Sequence, residues 1–85
     1  MPDALIDKLL KAAKFNQGFA NTEYLAASLL DMNWHTIKAD EEMKDADAFE
    51  AAAMDKIGLI DEIAPRYRST YFAHIFAGGY AAGYY

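Results

Sequence analysis

An all-α fold of three to four helices, with an aromatic, glycine-containing loop near the C-terminus, is what this sequence predicts, on three observations. Leu5, Ile6, Leu9, Leu10 and Ala13 recur at helical spacing. Tyr24 to Leu30 is an almost unbroken run of Ala, Leu and Tyr without proline. Phe49, Ala53, Met54 and Ile57 form a second apolar stripe that stops at Gly58.

Taken in order, Asp3 is the expected N-cap of a first helix running to about residue 14, with Asp7 and Lys11 paired i,i+4 on its polar side. A second helix is expected to begin between Asn16 and Asn21 and to reach His35 or Ile37. Phe19, Tyr24, Leu25, Ala26, Leu29, Leu30, Met32 and Trp34 cover much of its circumference, and a helix apolar nearly all round needs neighbours on several sides. Ala39 to Asp47 is acidic and predicts a solvated loop, after which Asp45 or Asp47 caps a third helix and Gly58 takes the C′ position. Ile63-Ala64-Pro65 is expected to be extended, because the residue before proline avoids the α region. Tyr67 to Phe76 fits either a strand or an irregular helix, Gly78-Gly79 a turn or helix entry, and Ala81 onward the start of a last helix. Residues 1–85 are expected to form a single partial domain.

Eighty-five residues with 54% hydrophobic side chains make a small domain with more apolar surface than its size suggests. Thirteen acidic against eight basic residues, a net charge of −5, disfavour nucleic acid as a partner. Cysteine is absent, which removes disulfides and thiolate metal sites. Met1-Pro2-Asp3 has neither a basic nor an apolar leader region, so no signal peptide is expected, and no run of eighteen apolar residues suggests a membrane span.

The chemistry concentrates between Pro65 and Tyr85, which hold His74 and five of the six tyrosines. His35 and His74 have no histidine or glutamate at the helical spacing that a zinc motif requires, so no metal ligand is assigned here. His35 is expected to be a helix-end histidine favoured by the C-terminal dipole. Phe72 and Phe76, spaced i,i+4, are expected in the core. Arg66 and Arg68 are expected to pair with Asp61 and Glu62 rather than to anchor a peptide carboxylate. The acidic stretch lacks the central glycine and ligand spacing of a calcium loop. His74 and Tyr80 stand six residues apart around Gly78-Gly79, and a bend there would turn imidazole and phenol to one cleft as neutral donors for a carbonyl oxygen.

Two blocks of sequence then resemble a known family. Phe15-Asn16-Gln17-Gly18-Phe19-Ala20, Glu23 through Met32 and Trp34-His35 form the first. Pro65 through Ser69, Tyr71 through Phe76, Gly78-Gly79-Tyr80 and Ala82 through Tyr85 form the second. In this order they resemble the catalytic domain of the thimet oligopeptidase (M3) family of zinc metallopeptidases, and within it the bacterial peptidyl-dipeptidase and oligopeptidase A branches. The resemblance spans about residues 4 to 85 and implies part of a helical peptidase that hydrolyses short peptides in the cytoplasm or periplasm. It implies that the zinc-binding HExxH helix and the third, glutamate ligand precede this segment and that helices follow it. The parent would then bind zinc, whereas this chain alone would bind none and be inactive. Its partners would be peptide substrates and the remainder of the catalytic domain.

By the same resemblance His74 and Tyr80 stabilise the oxyanion or bind the substrate backbone. Gly78 and Gly79 belong to a flexible loop near the substrate, and Tyr84 lies near the cleft. A second cleft tyrosine of the family would fall two residues beyond Tyr85. The alternative is an autonomous helical interaction module whose aromatic tail docks a partner or pairs with itself, without catalysis. In either case the isolated chain is expected to expose apolar surface and to self-associate.

Overall fold

The computed structural model describes residues 1–42 and 45–85. The middle of the expected acidic loop, residues 43–44, lies outside the described residues, while Ala39 to Glu41 form exposed turn and bend. Four α-helices follow in order: α1 (Asp3–Ala12), α2 (Gln17–His35), α3 (Ala46–Lys56) and the short α4 (Ala73–Ala77), with a 3₁₀ turn at Ser69–Tyr71 before the last. The described residues contain no strand, so the all-α prediction holds.

At the start of α1 the cap is Pro2, with extended backbone, rather than Asp3. The Pro2 carbonyl accepts from Leu5 N and Ile6 N at 3.0 and 3.2 Å, and Asp3 moves into the first turn, where a carboxylate favours the helix dipole. α1 ends at Ala12, two residues earlier than expected, as Lys14 N and Phe15 N switch to the carbonyls of Lys11 and Ala12. Asn16 then reverses the chain at φ 56°, a left-handed conformation that asparagine tolerates better than most residues. No residue of α1 is buried, and its Leu5, Ile6, Leu9 and Leu10 face outward.

α2 buries one face only. Ala26, Ala27, Ser28, Leu30 and Asp31 are covered, while Phe19, Leu25, Leu29 and Met32 are exposed, so this chain's own elements leave the rest of the apolar circumference open. α3 docks on the covered face through Trp34 and Phe49, whose ring centroids lie 4.3 Å apart. Between the two candidate caps of α3 the structure selects Asp45, whose Oδ1 accepts from Asp47 N at 3.2 Å. At the other end Gly58 adopts φ 75°, Gly58 N donates to Asp55 O and Leu59 N to Met54 O. That pair of bonds is the Schellman arrangement that a C′ glycine permits.

Ile63 to Pro65 carries neither helix nor strand, and Arg66 N ties the following segment to Glu23 O of α2 at 3.2 Å. The ambiguous Tyr67 to Phe76 stretch resolves as irregular helix, broken at Phe72 with φ −91° and ψ 55°. The break turns Phe72 and Ile75 onto the core formed by Ala26, Ala27, Leu30, Ala53 and Met54. Phe76 departs from its expected core position and is 54% exposed, its ring lying edge-on to Trp34 at the rim. No helix forms from Ala81 onward; Ala82 has φ 55°, and the backbone there bonds to α2 instead.

The core is small and local, so removal of its centre and of its periphery should differ sharply. Leu30→Ala, at a fully buried site, is expected to cost about 2–5 kcal/mol in urea denaturation followed by circular dichroism. Leu9→Ala on exposed α1 should stay within about 0.5 kcal/mol.

Candidate functional site

Two buried carboxylates hold the segment in which the candidate residues lie. Asp31, 1% exposed, sits on the face of α2 shared by Ala27, Leu30 and Trp34. Its Oδ1 accepts from Ala82 N at 2.8 Å and its Oδ2 from Tyr84 N at 3.0 Å. The His35 ring places Nδ1 2.8 Å from the same Oδ1. Glu50 of α3, 3% exposed, binds Ser69 N at 2.6 Å and Arg68 Nε at 2.8 Å. Each carboxylate thus finds the donors that a buried charge requires.

These contacts correct two expectations. Arg68 pairs with Glu50, not with Asp61 or Glu62, and that hydrogen bond raises the guanidinium above its ordinary pKa. His35 does end α2, but its ring is engaged by the Asp31 side chain and, at 3.0 Å, by the Asp31 carbonyl.

The aromatic residues gather around Tyr67. Its ring stacks on Phe72 at 5.2 Å, lies 4.8 Å from the His74 imidazole and meets Tyr84 edge-on at 5.9 Å. Tyr84 is half-buried against Tyr24 and Phe72 at 5.5 and 4.9 Å, and Tyr24 donates its hydroxyl hydrogen to the Tyr84 carbonyl at 2.9 Å. Burial raises the Tyr84 phenol above its usual pKa, opposed by the charge of Arg66.

His74 is exposed on α4. Tyr80, 56% exposed, opens a tight turn closed by Gly83 N on the Tyr80 carbonyl at 2.8 Å. Of the ring contacts among the described residues, His74 joins the Tyr67 cluster and Tyr80 takes part in none. Gly78 ends α4 where an added Cβ would stand 3.2 Å from the His74 carbonyl, closer than packing allows without a shift, whereas Gly79 faces open space. The Tyr80 turn costs something locally, since a residue with a Cβ at Ala82's positive φ is disfavoured by about 1–2 kcal/mol.

Asp31, Glu50 and Tyr67 were not singled out by sequence as site-building residues. The first two carry a legible signal: Asp31 falls in register with Ala27, Leu30 and Trp34, and Glu50 with Ala53, Met54 and Ile57. A carboxylate in the middle of an apolar stripe must find buried donors. Chemically, the strip offers an exposed imidazole on α4 and an exposed phenol on the glycine-bearing turn that follows it. Among the described residues no group of three or more His, Cys, Asp or Glu side chains is disposed to hold a metal ion.

The model of Peptidase family M3 matches residues 1–85. The dipeptidyl carboxypeptidase of Escherichia coli K12 is 52% identical over 86 residues, which take in 100% of this chain and 13% of that protein. The dipeptidyl carboxypeptidase of Salmonella typhimurium LT2 is 48% identical over 86 residues, with the same coverage. The chain therefore spans about an eighth of the length of these curated relatives.

The Tyr84 environment has a measurable consequence. Its raised phenol pKa means that the folded protein holds the proton more tightly than the unfolded chain, whose tyrosines titrate near 10. Its contribution to stability is therefore complete below about pH 10 and declines as pH rises through the folded value. Ultraviolet titration of the phenols should show one late-titrating group that Tyr84→Phe removes, and Arg66→Ala should delay it further.

Proposed function

Because this chain belongs to peptidase family M3, we propose that it supplies one wall of the substrate cleft in a zinc-dependent peptidase that hydrolyses short peptides, of peptidyl-dipeptidase or oligopeptidase type. The observation that carries the proposal is the identity to dipeptidyl carboxypeptidases along the whole chain. Residues 1–85 act as one part of a larger catalytic domain, and the remainder of that domain is their first partner. Family membership favours this role over that of a free-standing interaction module. No described helix is long and apolar enough to cross a membrane, and the reaction is assigned to the cytoplasm, with the periplasm as the other candidate compartment.

Amide hydrolysis turns a planar carbonyl into a tetrahedral centre whose oxygen gains negative charge, and fixed neutral donors lower that barrier most when they are aimed at the developing charge. His74 and Tyr80 are the donors assigned to that oxygen or to the adjacent substrate backbone. Gly78 and Gly79 allow the substrate chain to approach, and Tyr84 backs the wall on which it lies. The exposure of His74 and Tyr80 supports this assignment, since groups that meet a substrate must be reachable. The family implies zinc, but the described residues of this chain do not form a ligand set. The metal and its ligands are assigned to other parts of the protein.

In the whole protein, His74→Ala and Tyr80→Phe should each lower kcat/KM by about 10²–10³-fold with folding retained. Near-normal values in both variants would remove these assignments. Mass spectrometry of the products separates release of C-terminal dipeptides from internal cleavage. The 85-residue chain by itself should show no stoichiometric, chelator-sensitive zinc in metal analysis; a one-to-one zinc signal would overturn the allocation of the metal site.

A further inference from the structure

We propose that Asp31 is a positioning residue for the reaction, acting through the turn that begins at Tyr80. The inference rests on the assignment of Tyr80 as a donor to substrate. The side chain of Tyr80 is exposed and held by no ring contact among the described residues, so its placement depends on its own backbone. That backbone is clamped on the far side of the residue. Asp31 takes the N–H groups of Ala82 and Tyr84 on its two oxygens, and Tyr24 holds the Tyr84 carbonyl. Tyr24 and Asp31 lie seven residues apart on α2, two helical turns, and therefore on one face of one rigid element.

The clamp also explains why Ala82 stays in the left-handed region, where an alanine does not settle unaided. The N–H groups of Ala82 and Tyr84 converge on one anion, the buried carboxylate, while the N–H of Gly83 between them closes the turn on the Tyr80 carbonyl. Without its charge the turn loses its two charge-assisted bonds, and Ala82 is free to relax to negative φ. A relaxation of that kind moves Tyr80, two residues upstream, by rotation of the Tyr80–Gly83 turn. Misplacement of a donor by about 1 Å lowers a rate by as much as about 10²-fold. His35, 2.8 Å from Oδ1, orients the same carboxylate and belongs to the clamp.

The test is a double-mutant cycle in the whole protein with a peptide substrate. Asp31→Asn should lower kcat and kcat/KM together by about 10–100-fold with KM little changed. In a Tyr80→Phe background the same substitution should have almost no further effect, because it acts through the hydroxyl already removed. If Asp31→Asn fails to fold, Tyr24→Phe carries the test: it loosens the other side of the turn without disturbing a buried charge, and its effect on kcat should likewise vanish in the Tyr80→Phe background. Equal losses in the two backgrounds would overturn the inference while leaving Tyr80 in its role, since they would mean a general structural effect. Full activity of Tyr80→Phe alone would remove the role of Tyr80 and the inference with it.

Discussion

A carboxylate taken out of water needs donors wherever the chain can bring them, and in this protein that requirement sets the path of everything after α3. Asp31 and Glu50 are both nearly inaccessible, one on α2 and the other on α3. Asp31 has one partner on its own helix, His35, while the donors to Glu50 come from beyond α3. Glu50 draws in the backbone of Ser69, which then accepts the Trp34 indole hydrogen on its hydroxyl at 2.9 Å. Asp31 draws in the backbone of Ala82 and Tyr84. Between these two fixed points lie α4, the glycines and both candidate donors. Among the described residues the buried apolar core beneath them has seven members, so hydrophobic burial alone would leave the segment poorly located.

This division of labour explains what could be seen in the sequence and what could not. The three long helices were legible because periodicity and breakers are local: Leu5 to Ala13, the proline-free run of α2, and the stripe closed by Gly58 each carry their own signal. The cap of α1 falls one residue earlier than expected because Asp3 takes a place in the first turn, where its charge favours the dipole, and the extended Pro2 backbone serves as the cap. The last segment was misjudged for a different reason. Ala81 to Tyr85 has helical composition, but its N–H groups are captured by a carboxylate about fifty residues away in the chain, a long-range bond that no local pattern records. Phe76 shows the same limit, since its spacing from Phe72 ignores the break in the helix between 3₁₀ turn and α4.

Of the candidate site, residue types were legible and support was not. His74, Gly78, Gly79, Tyr80 and Tyr84 stand out by composition. The packing of two of them, His74 and Tyr84, on the Tyr67 ring emerges only in three dimensions. The apparent equivalence of Gly78 and Gly79 also dissolves: one is crowded by the His74 carbonyl and the other is not. The acidic positions on otherwise apolar stripes were the overlooked clue, because a charge on a buried face is either an error or an anchor.

The grip on the Tyr80 turn is made almost wholly through main-chain atoms: two amides received by Asp31 and a carbonyl reached by Tyr24. Such a grip is blind to the side chains it holds. Sequence drift is therefore unevenly licensed across the contact. Position 82 can exchange its methyl for glycine or asparagine, both at ease with positive φ, and the hold survives. Position 31 has no such latitude, because the charge, the reach and both oxygens are all in use. In a library of functional variants the segment of the candidate site would look permissive at its backbone-held positions, and the immovable letter would lie on α2, in the interior.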